Sequence, residues 1–169
     1  MVNSLEIVLV RRPDAAFGQA DPGTWHYTAQ PQLDAAQAEH DAFVKILHQA
    51  GAEVVYHSVP LPNHADAIFT HDPVLICNEG AIILRMGKTL RRGEEEAIAQ
   101  QLGAMGVPIH YRLHGDALAE GGDLLWIDET TLAVGPGCRT NAAGLRQLQE
   151  AQPAVELIPV QLSYCLGPG

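Results

Sequence analysis

A recurring order of predicted elements constrains the fold of this chain more than any other feature. Amphipathic helices are predicted at about Leu33–Gln49, at about Gly93–Met105 and from Asn141 onward. Each helix is followed by an apolar extended segment, and these segments start near residues 52, 107 and 154. A period of ~50 residues indicates repeated supersecondary units rather than unrelated elements.

Strand-like sequence also precedes each helix. Ile7–Val10 precedes the first, and a pair of short apolar strands joined by a turn precedes each of the other two. The paired strands are Val74–Ile76, Ile82–Leu84, Leu124–Ile127 and Thr131–Val134. The unit therefore reads strand, strand, helix, strand, which predicts an α/β fold. Periodicity alone leaves an ordinary α/β sandwich with three crossovers equally open.

The amino-acid composition and net charge argue against some classes of binding partner. Hydrophobic residues make up 47% of the 169, which is enough for a buried core. Ten Lys+Arg against twenty Asp+Glu give a net charge of −10. A chain this acidic does not favour phosphate backbones or anionic lipid, so we expect neither nucleic acid nor a membrane as partner.

The lack of a recognisable targeting signal and the spacing of the cysteines predict a cytoplasmic protein. No apolar run approaches the ~20 residues of a membrane span, and no basic patch precedes an apolar segment at the N-terminus. Cys77, Cys138 and Cys165 are odd in number and far apart, unlike a disulfide framework or a metal knuckle. Cys165 has no evident neighbouring base, so a structural thiol is favoured over a nucleophile. The histidines lack ligand spacing, and we expect no metal and no cofactor.

Four polar stretches have more charge or glycine than packing requires. They are Asp66–Pro73, Arg85 with Arg91–Glu94, Glu120–Asp123 and Gly135–Asn141. Each has a plain structural alternative: a turn before proline, surface salt bridges to Glu94–Glu96, a solvated tight turn, and an ordinary strand–helix loop.

Chemistry favours a binding site for these stretches. Aspartate is disfavoured in strands, so Asp66 and Asp72 are expected to face a turn or a pocket. Arginine suits bidentate binding of carboxylates. The two glycines between Glu120 and Asp123 permit close backbone approach at a strand entrance. Arg139 lies just before a predicted helix N-terminus, where the helix dipole disfavours a cation.

Taken in order, the four stretches resemble the guanidine-modifying enzymes of the pentein fold. The matching elements are Phe69-Thr70-His71-Asp72-Pro73, Arg85 with Arg91-Arg92-Gly93-Glu94, Glu120-Gly121-Gly122-Asp123 and Arg139-Thr140-Asn141. The family includes arginine deiminases and amidinotransferases, and the similarity is closest to the dimethylarginine dimethylaminohydrolases. It extends over nearly the whole chain.

The resemblance implies a partial α/β propeller. The family fold has five ββαβ modules around a substrate channel, and this chain accounts for about three of them. We expect one partial domain over 1–169, with modules at about 1–65, 66–115 and 116–169.

The resemblance also assigns roles to residues. Asp72 and Glu120 would hold a substrate guanidinium, with Glu120 as the catalytic carboxylate. Arg85 and Arg139 would hold the substrate's α-carboxylate. The remaining substrate-binding residues would be Asp66, Phe69 and Asp123. We expect Asp72, Glu120, Arg85 and Arg139 to converge on one cleft.

The family mechanism further needs a histidine acid/base and a cysteine nucleophile, and both are expected beyond Gly169. The sequence therefore predicts the N-terminal part of an amidinohydrolase acting on arginine-like guanidines, inactive by itself. The alternatives are a non-catalytic guanidine-binding or interaction module, an amidinotransferase, or an α/β domain with coincidental motifs. We expect a small guanidine ligand, and either a homo-oligomer or a partner chain covering the open propeller edge, which Ser163–Gly169 are too few to cover.

Overall fold

The computed structural model describes residues 5–161, and this range divides into two compact units between Thr70 and His71. Residues 5–70 form the N-terminal unit, and residues 71–161 form the C-terminal unit. The extended segment that starts near residue 154 is predicted to end at Leu162. Leu162 and the tail Ser163–Gly169, which contains Cys165, lie outside the described residues.

The N-terminal unit is built on a parallel pair of strands. Its elements are β1 (Ile7–Val10), α1 (Ala15–Gly18), α2 (Pro22–Trp25), α3 (Leu33–Gln49) and β2 (Glu53–Tyr56). Val44 and Leu47 on one face of α3 pack against Val10 and Ala52. The amphipathic pattern that predicts α3 thus covers the strand pair, as a crossover helix between parallel strands does.

The C-terminal unit repeats one ββαβ module twice. The first module comprises β3 (Val74–Cys77), β4 (Gly80–Ile83), α4 (Glu94–Ala104) and β5 (Ile109–Arg112), and the second comprises β6 (Leu124–Asp128), β7 (Thr131–Val134), α5 (Ala142–Ala151) and β8 (Glu156–Pro159). In each module the first two strands are antiparallel and the third is parallel to the second. All four residues of the central strand β4 are buried, which explains its continuous run of apolar residues.

One hydrophobic core joins the two modules of this unit. It contains Ile82 and Leu84 from the first module and Leu132, Val134 and Leu148 from the second, each no more than 1% exposed. The indole of Trp126 adds a hydrogen bond to the Ile76 carbonyl (3.0 Å). The loops at the ends of both sheets are therefore held on one packed body.

The predicted α/β class and the strand–strand–helix–strand order are confirmed for these two modules. The N-terminal unit has one strand before its helices in the described range. The third strand of the first module begins at Ile109, after the predicted start near residue 107, and ends at Arg112. The division into modules at about 1–65, 66–115 and 116–169 stays a prediction.

Two expectations about the chain's environment have different outcomes. In the described range no helix is long and apolar enough to cross a bilayer. Cys77 is a free thiol, but Cys138 is disulfide-bonded, so the argument from spacing against disulfides is wrong for Cys138. The cytoplasmic location stays a prediction.

Two helical glycines should respond oppositely to alanine. A Cβ at Gly144 in α5 would lie 2.0 Å from the Leu118 carbonyl oxygen, whereas a Cβ at Gly103 in α4 would meet nothing within 4 Å. Gly144→Ala should therefore lower the free energy of unfolding by about 2 kcal/mol or more, and Gly103→Ala should raise it by about 0.5 kcal/mol. Urea unfolding followed by circular dichroism measures both, and a neutral Gly144→Ala would contradict the close approach.

A buried histidine should make the N-terminal unit sensitive to acid. His57 is 6% exposed, its Nδ1 accepts from the Val59 N–H (3.3 Å), and burial together with the charge of Arg11 lowers its pKa to about 4. Its stabilising contribution is complete above the unfolded pKa of about 6.5 and is lost as the pH falls toward 4. We expect a loss on the order of 2 kcal/mol between pH 7 and pH 4.5 that His57→Gln removes. Parallel pH profiles for the two proteins would contradict this assignment.

Candidate functional site

Sheet pairing brings three of the predicted motifs to one end of the C-terminal unit. Leu124, which begins β6, pairs with Val134, which ends β7, so the residues before β6 lie beside those after β7. The Gly135 N–H accordingly donates to the Asp123 carbonyl (2.8 Å). The Gly121 N–H donates to the carbonyl of Asp72, which precedes β3 (2.8 Å).

Glu120 is the centre of this arrangement and is fully buried. Its Oε1 accepts from the backbone N–H of Gly87 (2.9 Å) and of Lys88 (3.3 Å), just beyond β4. Its Oε2 lies 3.2 Å from the Arg139 Nη1 as an ion pair but has no hydrogen-bond donor. A buried carboxylate oxygen without a donor is costly, so this oxygen has the capacity to accept a further N–H group.

Asp123 and Thr140 fix the side of the site next to Glu120. The buried Thr140 hydroxyl donates to Asp123 Oδ2 (2.8 Å) and accepts from the Glu120 N–H (3.2 Å). Arg139 Nη2 donates to the other Asp123 oxygen (2.8 Å). The Arg139 guanidinium therefore bridges two carboxylates, while its side chain remains 46% exposed.

The carboxylate of Asp72 accepts hydrogen bonds from a backbone N–H group and from a buried arginine. Its Oδ1 accepts from the Gly122 N–H (3.0 Å), and its Oδ2 accepts from Arg91 Nη1 (2.5 Å). Arg91 also forms a two-pronged contact with Glu94, Nε to Oε1 at 3.1 Å and Nη2 to Oε2 at 2.6 Å. Burial lowers the pKa of Arg91. The hydrogen bonds and charge of Glu94, and then those of Asp72, raise it by more than burial lowers it, so the pKa of Arg91 lies above its ordinary value.

These side chains form one group, the carboxylate cluster, made of Asp72, Glu94, Glu120 and Asp123 with Arg91 and Arg139. Asp72, Glu120 and Arg139 lie together in this cluster of the C-terminal unit, and the expectation that they line one cleft stays a prediction. The surface-salt-bridge interpretation is wrong for Arg91 and Glu94, which are 3% and 2% exposed. In the described range no group of three or more His, Cys, Asp or Glu side chains is placed to hold a metal ion.

Arg85 departs from the expected convergence. Its backbone pairs with Ala119 in an isolated β-bridge, so its neighbour across the bridge is the residue before Glu120. Its guanidinium donates to the Gly115 carbonyl and lines a surface cavity of about 210 Å³ with Arg112, Glu95 and Glu96. A role for Arg85 in binding substrate stays a prediction.

Asp66 and Phe69 belong to the N-terminal unit. Asp66 lies in a single 3-10 turn, is 5% exposed and accepts from the Tyr27 hydroxyl at Oδ1 (2.6 Å). Phe69 is 52% exposed. The position of Asp66 in a turn agrees with the expectation that it faces a turn or a pocket. The substrate-binding role of Asp66 and Phe69 stays a prediction.

Gly87 and Lys88, whose backbone N–H groups hold Glu120, lie outside the motifs predicted from the sequence. The available signal is a glycine three residues beyond the predicted strand Ile82–Leu84. A Cβ on Gly87 would lie 2.8 Å from the Cα of Arg139, so only glycine fits there without a backbone shift.

Comparison with known proteins places this arrangement in a family. The family model described as "N,N dimethylarginine dimethylhydrolase, eukaryotic" matches residues 16–163. The chain belongs to the dimethylarginine dimethylaminohydrolase family. This confirms the resemblance inferred from the four motifs.

Relatives of the dimethylarginine dimethylaminohydrolase family are longer than this chain. The enzyme of that name from Streptomyces coelicolor is 32% identical over 145 residues, which are 85% of this chain and 54% of the relative. The one from Pseudomonas aeruginosa is 28% identical over 83% of this chain and 54% of the relative. The chain thus spans about half the length of these relatives.

Solved structures confirm the fold class, a partial α/β propeller of the pentein type. A mutant of the Pseudomonas aeruginosa dimethylarginine dimethylaminohydrolase in complex with citrulline matches with a TM-score of 0.83 at 25% identity, over 98% of this chain and 64% of that one. The N-terminal domain of ArgZ, an arginine dihydrolase, bound to its substrate, matches with a TM-score of 0.77 at 20% identity, over 94% of this chain and 58% of that one. The second likeness concerns the fold alone.

Proposed function

We propose that this chain forms the guanidinium-binding part of an amidinohydrolase that acts on arginine or methylated arginine. The observation that carries the proposal is the Oε2 atom of Glu120, a fully buried carboxylate oxygen with no hydrogen-bond donor. A planar guanidinium supplies N–H donors and a positive charge together, which matches both requirements of this oxygen.

The carboxylate orients a substrate that is otherwise a poor electrophile. Glu120 accepts N–H groups of the guanidinium and fixes its plane, so that one face of the central carbon is open to attack. A cysteine thiolate forms a bond to that carbon, an imidazole protonates the departing amine, and water then releases citrulline and regenerates the thiol. The proposal assigns the histidine and cysteine of these steps to no residue of this chain, whose part is to hold and orient the guanidinium.

Asp72, Asp123, Arg139 and Arg85 complete the proposed substrate-binding set of the C-terminal unit. For Asp66 and Phe69 of the N-terminal unit, the proposed substrate-binding role is supported by the family resemblance alone. Asp72 already binds Arg91 and the Gly122 N–H. Each of its oxygens retains one lone pair for a ligand. Amidinotransferase chemistry differs only in the final acceptor, an amine in place of water, and uses the same carboxylates.

Isothermal titration with L-arginine and with dimethylarginine tests the proposal. We expect saturable binding of at least one of them and no citrulline above background, since the nucleophile is expected outside this chain. Adding glycine as an amine acceptor separates amidino transfer from hydrolysis in any longer form of the protein. Absence of binding by both guanidines would refute the proposal.

We also propose that the C-terminal unit is covered by a second copy of this chain or by a partner. Apolar side chains are exposed on its strands, among them Leu125 at 65%, Ile127 at 53% and Ile158 at 41%. In the described range β8 pairs with β7 alone and is an edge strand. Exposed apolar strands and open edges recruit other chains.

Self-association should therefore be measurable by light scattering at micromolar concentration. We expect a mass above the 18.2 kDa of one chain, and a shift toward that mass for Leu125→Lys. Ile46→Lys is the matched control, because Ile46 is 60% exposed on α3 of the N-terminal unit. A stable monomer that binds no hydrophobic dye would contradict the proposal.

A further inference from the structure

One buried hydroxyl connects two residues of the carboxylate cluster. The Thr140 side chain is fully buried. Its Oγ1 lies 2.8 Å from Asp123 Oδ2 and 3.2 Å from the backbone nitrogen of Glu120. Because a backbone N–H can only donate, the hydroxyl accepts from Glu120, and its single proton goes to Asp123. The donor directions in this chain of two hydrogen bonds are therefore fixed.

The same three residues close a short turn twice. Gly121–Asp123 form a single 3-10 turn that begins after Glu120, and the Asp123 N–H donates to the Glu120 carbonyl (3.0 Å). The two bonds of the Thr140 hydroxyl join the same two residues a second time. Two of the three turn residues are glycines, which have the most backbone freedom to lose. The second closure therefore restricts a segment whose own residues restrict it little.

The position of Glu120 Oε2 depends on this turn. The other oxygen of the carboxylate, Oε1, is held by the N–H groups of Gly87 and Lys88, and the Glu120 backbone N–H is held by Thr140. A carboxylate held at one oxygen alone can pivot about that oxygen, and fixing the backbone of the same residue limits the pivot. A ligand then meets Oε2 already in place and does not bear the cost of ordering it.

We infer that Thr140 is a positioning residue that couples Asp123 to Glu120: its hydroxyl transmits the position of the Asp123 carboxylate to the Glu120 backbone and so sets the affinity of Oε2 for a guanidinium. The inference rests on the proposed function and deepens it. Asp123 then strengthens binding at Glu120 indirectly, in addition to the direct substrate contact proposed above.

The first test is isothermal titration of folded variants with L-arginine. Thr140→Val keeps the size of the side chain but loses the hydroxyl, and it should weaken binding about tenfold, whereas Thr140→Ser keeps the hydroxyl and should bind within about threefold of the unaltered chain. Thr130→Val is the matched control, because the Thr130 hydroxyl donates to Asp128 (3.1 Å) in the exposed turn between β6 and β7, and its affinity should be unchanged. A merely structural role for Thr140 would lower the urea midpoint of Thr140→Val and leave the affinity of the folded protein as it was.

A double-mutant cycle tests the coupling itself. Asp123→Ala removes the acceptor of the hydroxyl proton and should weaken the binding of L-arginine about tenfold or more. In the Asp123→Ala background, Thr140→Val should cost no more than about threefold, because the hydroxyl no longer transmits the position of residue 123. Losses of affinity that simply multiply in the double variant would overturn the inference.

A measurement without ligand keeps the inference testable even where Thr140→Val does not fold. In Asp123→Ala the amide hydrogen of Glu120 should exchange with solvent at least ~10-fold faster than in the unaltered chain, although its hydrogen bond is to Thr140 and not to residue 123. The amide of Ala119, which donates to the Arg85 carbonyl (3.1 Å), is the internal reference, and its rate should not change. NMR spectroscopy gives both rates, and an unchanged rate for Glu120 would overturn the inference.

The outcomes separate the inference from the function on which it rests. If L-arginine binds the unaltered chain and folded Thr140→Val equally, Thr140 is a structural residue alone, and the inference is overturned while the proposed function stands. If no guanidine binds the unaltered chain, the proposed function fails and the inference falls with it, even where amide exchange shows that Asp123 and Glu120 are coupled.

Discussion

Arg91→Leu should lower the free energy of unfolding of the C-terminal unit by about 3–5 kcal/mol, the cost of leaving buried charges without their partner. Arg91 and Glu94 are 3% and 2% exposed, and Asp72 also depends on the same guanidinium. Removal of Arg91 leaves two carboxylates beside each other with no cation between them. Urea unfolding at pH 7, followed by circular dichroism, measures the loss.

A surface arginine provides the control for this experiment. Arg112 pairs with Glu96 at 3.1 Å, but the two side chains are 45% and 80% exposed. Arg112→Leu should change the free energy of unfolding by no more than ~0.5 kcal/mol, because water screens such a pair. Adding Glu94→Gln to Arg91→Leu should recover part of the loss, since the uncompensated charge is then removed. Equal losses for the two arginine variants would contradict the buried-charge argument.

Glu120→Gln should weaken the binding of L-arginine by about 100-fold or more, the typical cost of removing one partner of a buried charge pair. The change keeps the size of the side chain, and its amide oxygen can still accept from the N–H groups of Gly87 and Lys88. It replaces the acceptor Oε2 by an NH₂ group, which repels a guanidinium. Isothermal titration gives the change in affinity.

The loss of affinity has to be separated from a loss of fold. Glu129→Gln removes the same charge from an exposed position in the turn between β6 and β7, and its affinity should be unchanged. The urea midpoint of Glu120→Gln establishes that the variant is folded under the titration conditions. An unchanged affinity in a folded Glu120→Gln would place the guanidinium elsewhere and refute the proposed site.

The order of strands and helices is predictable from the sequence because its periodicities are strong, whereas the choice between a sandwich and a partial propeller depends on the family resemblance. Short apolar runs mark the strands of the hairpins, and apolar residues at helical spacing mark the helices that follow them. The order of these two patterns along the chain reveals the ββαβ module. The clustering of Asp72, Glu120 and Arg139 is predicted only through the resemblance to the pentein fold, which brings the loops of successive modules together.

The contacts of Arg85 and Arg91 that the sequence does not reveal have equally specific physical causes. Arg85 pairs with Ala119 rather than with Glu120, and side chains alternate between faces along extended backbone, so a shift of one residue decides which side chain it meets. No sequence pattern fixes that register. Arg91 and Glu94 are three residues apart, the spacing of an ion pair on the surface of a helix. That this ion pair is buried and also contacts Asp72 depends on tertiary packing, which the spacing does not reveal.

Because Leu124 pairs with Val134, the carboxylate cluster lies at one end of the β6–β7 hairpin and the turn of the hairpin lies at the other. The two ends differ in how well they tolerate added side chains or inserted residues. The cluster end carries Gly87, Gly121 and Gly122, where an added Cβ would come within 3.0 Å of existing atoms. At the opposite end, the turn between β6 and β7 contains Asp128 and Thr130, which bond to each other, and Glu129, which is exposed. That turn is the position for an affinity tag, a fluorophore or a surface tether, because a graft there extends a hairpin without touching the acceptor oxygens. An immobilised form made in this way is tethered at the end of the C-terminal unit away from the carboxylate cluster.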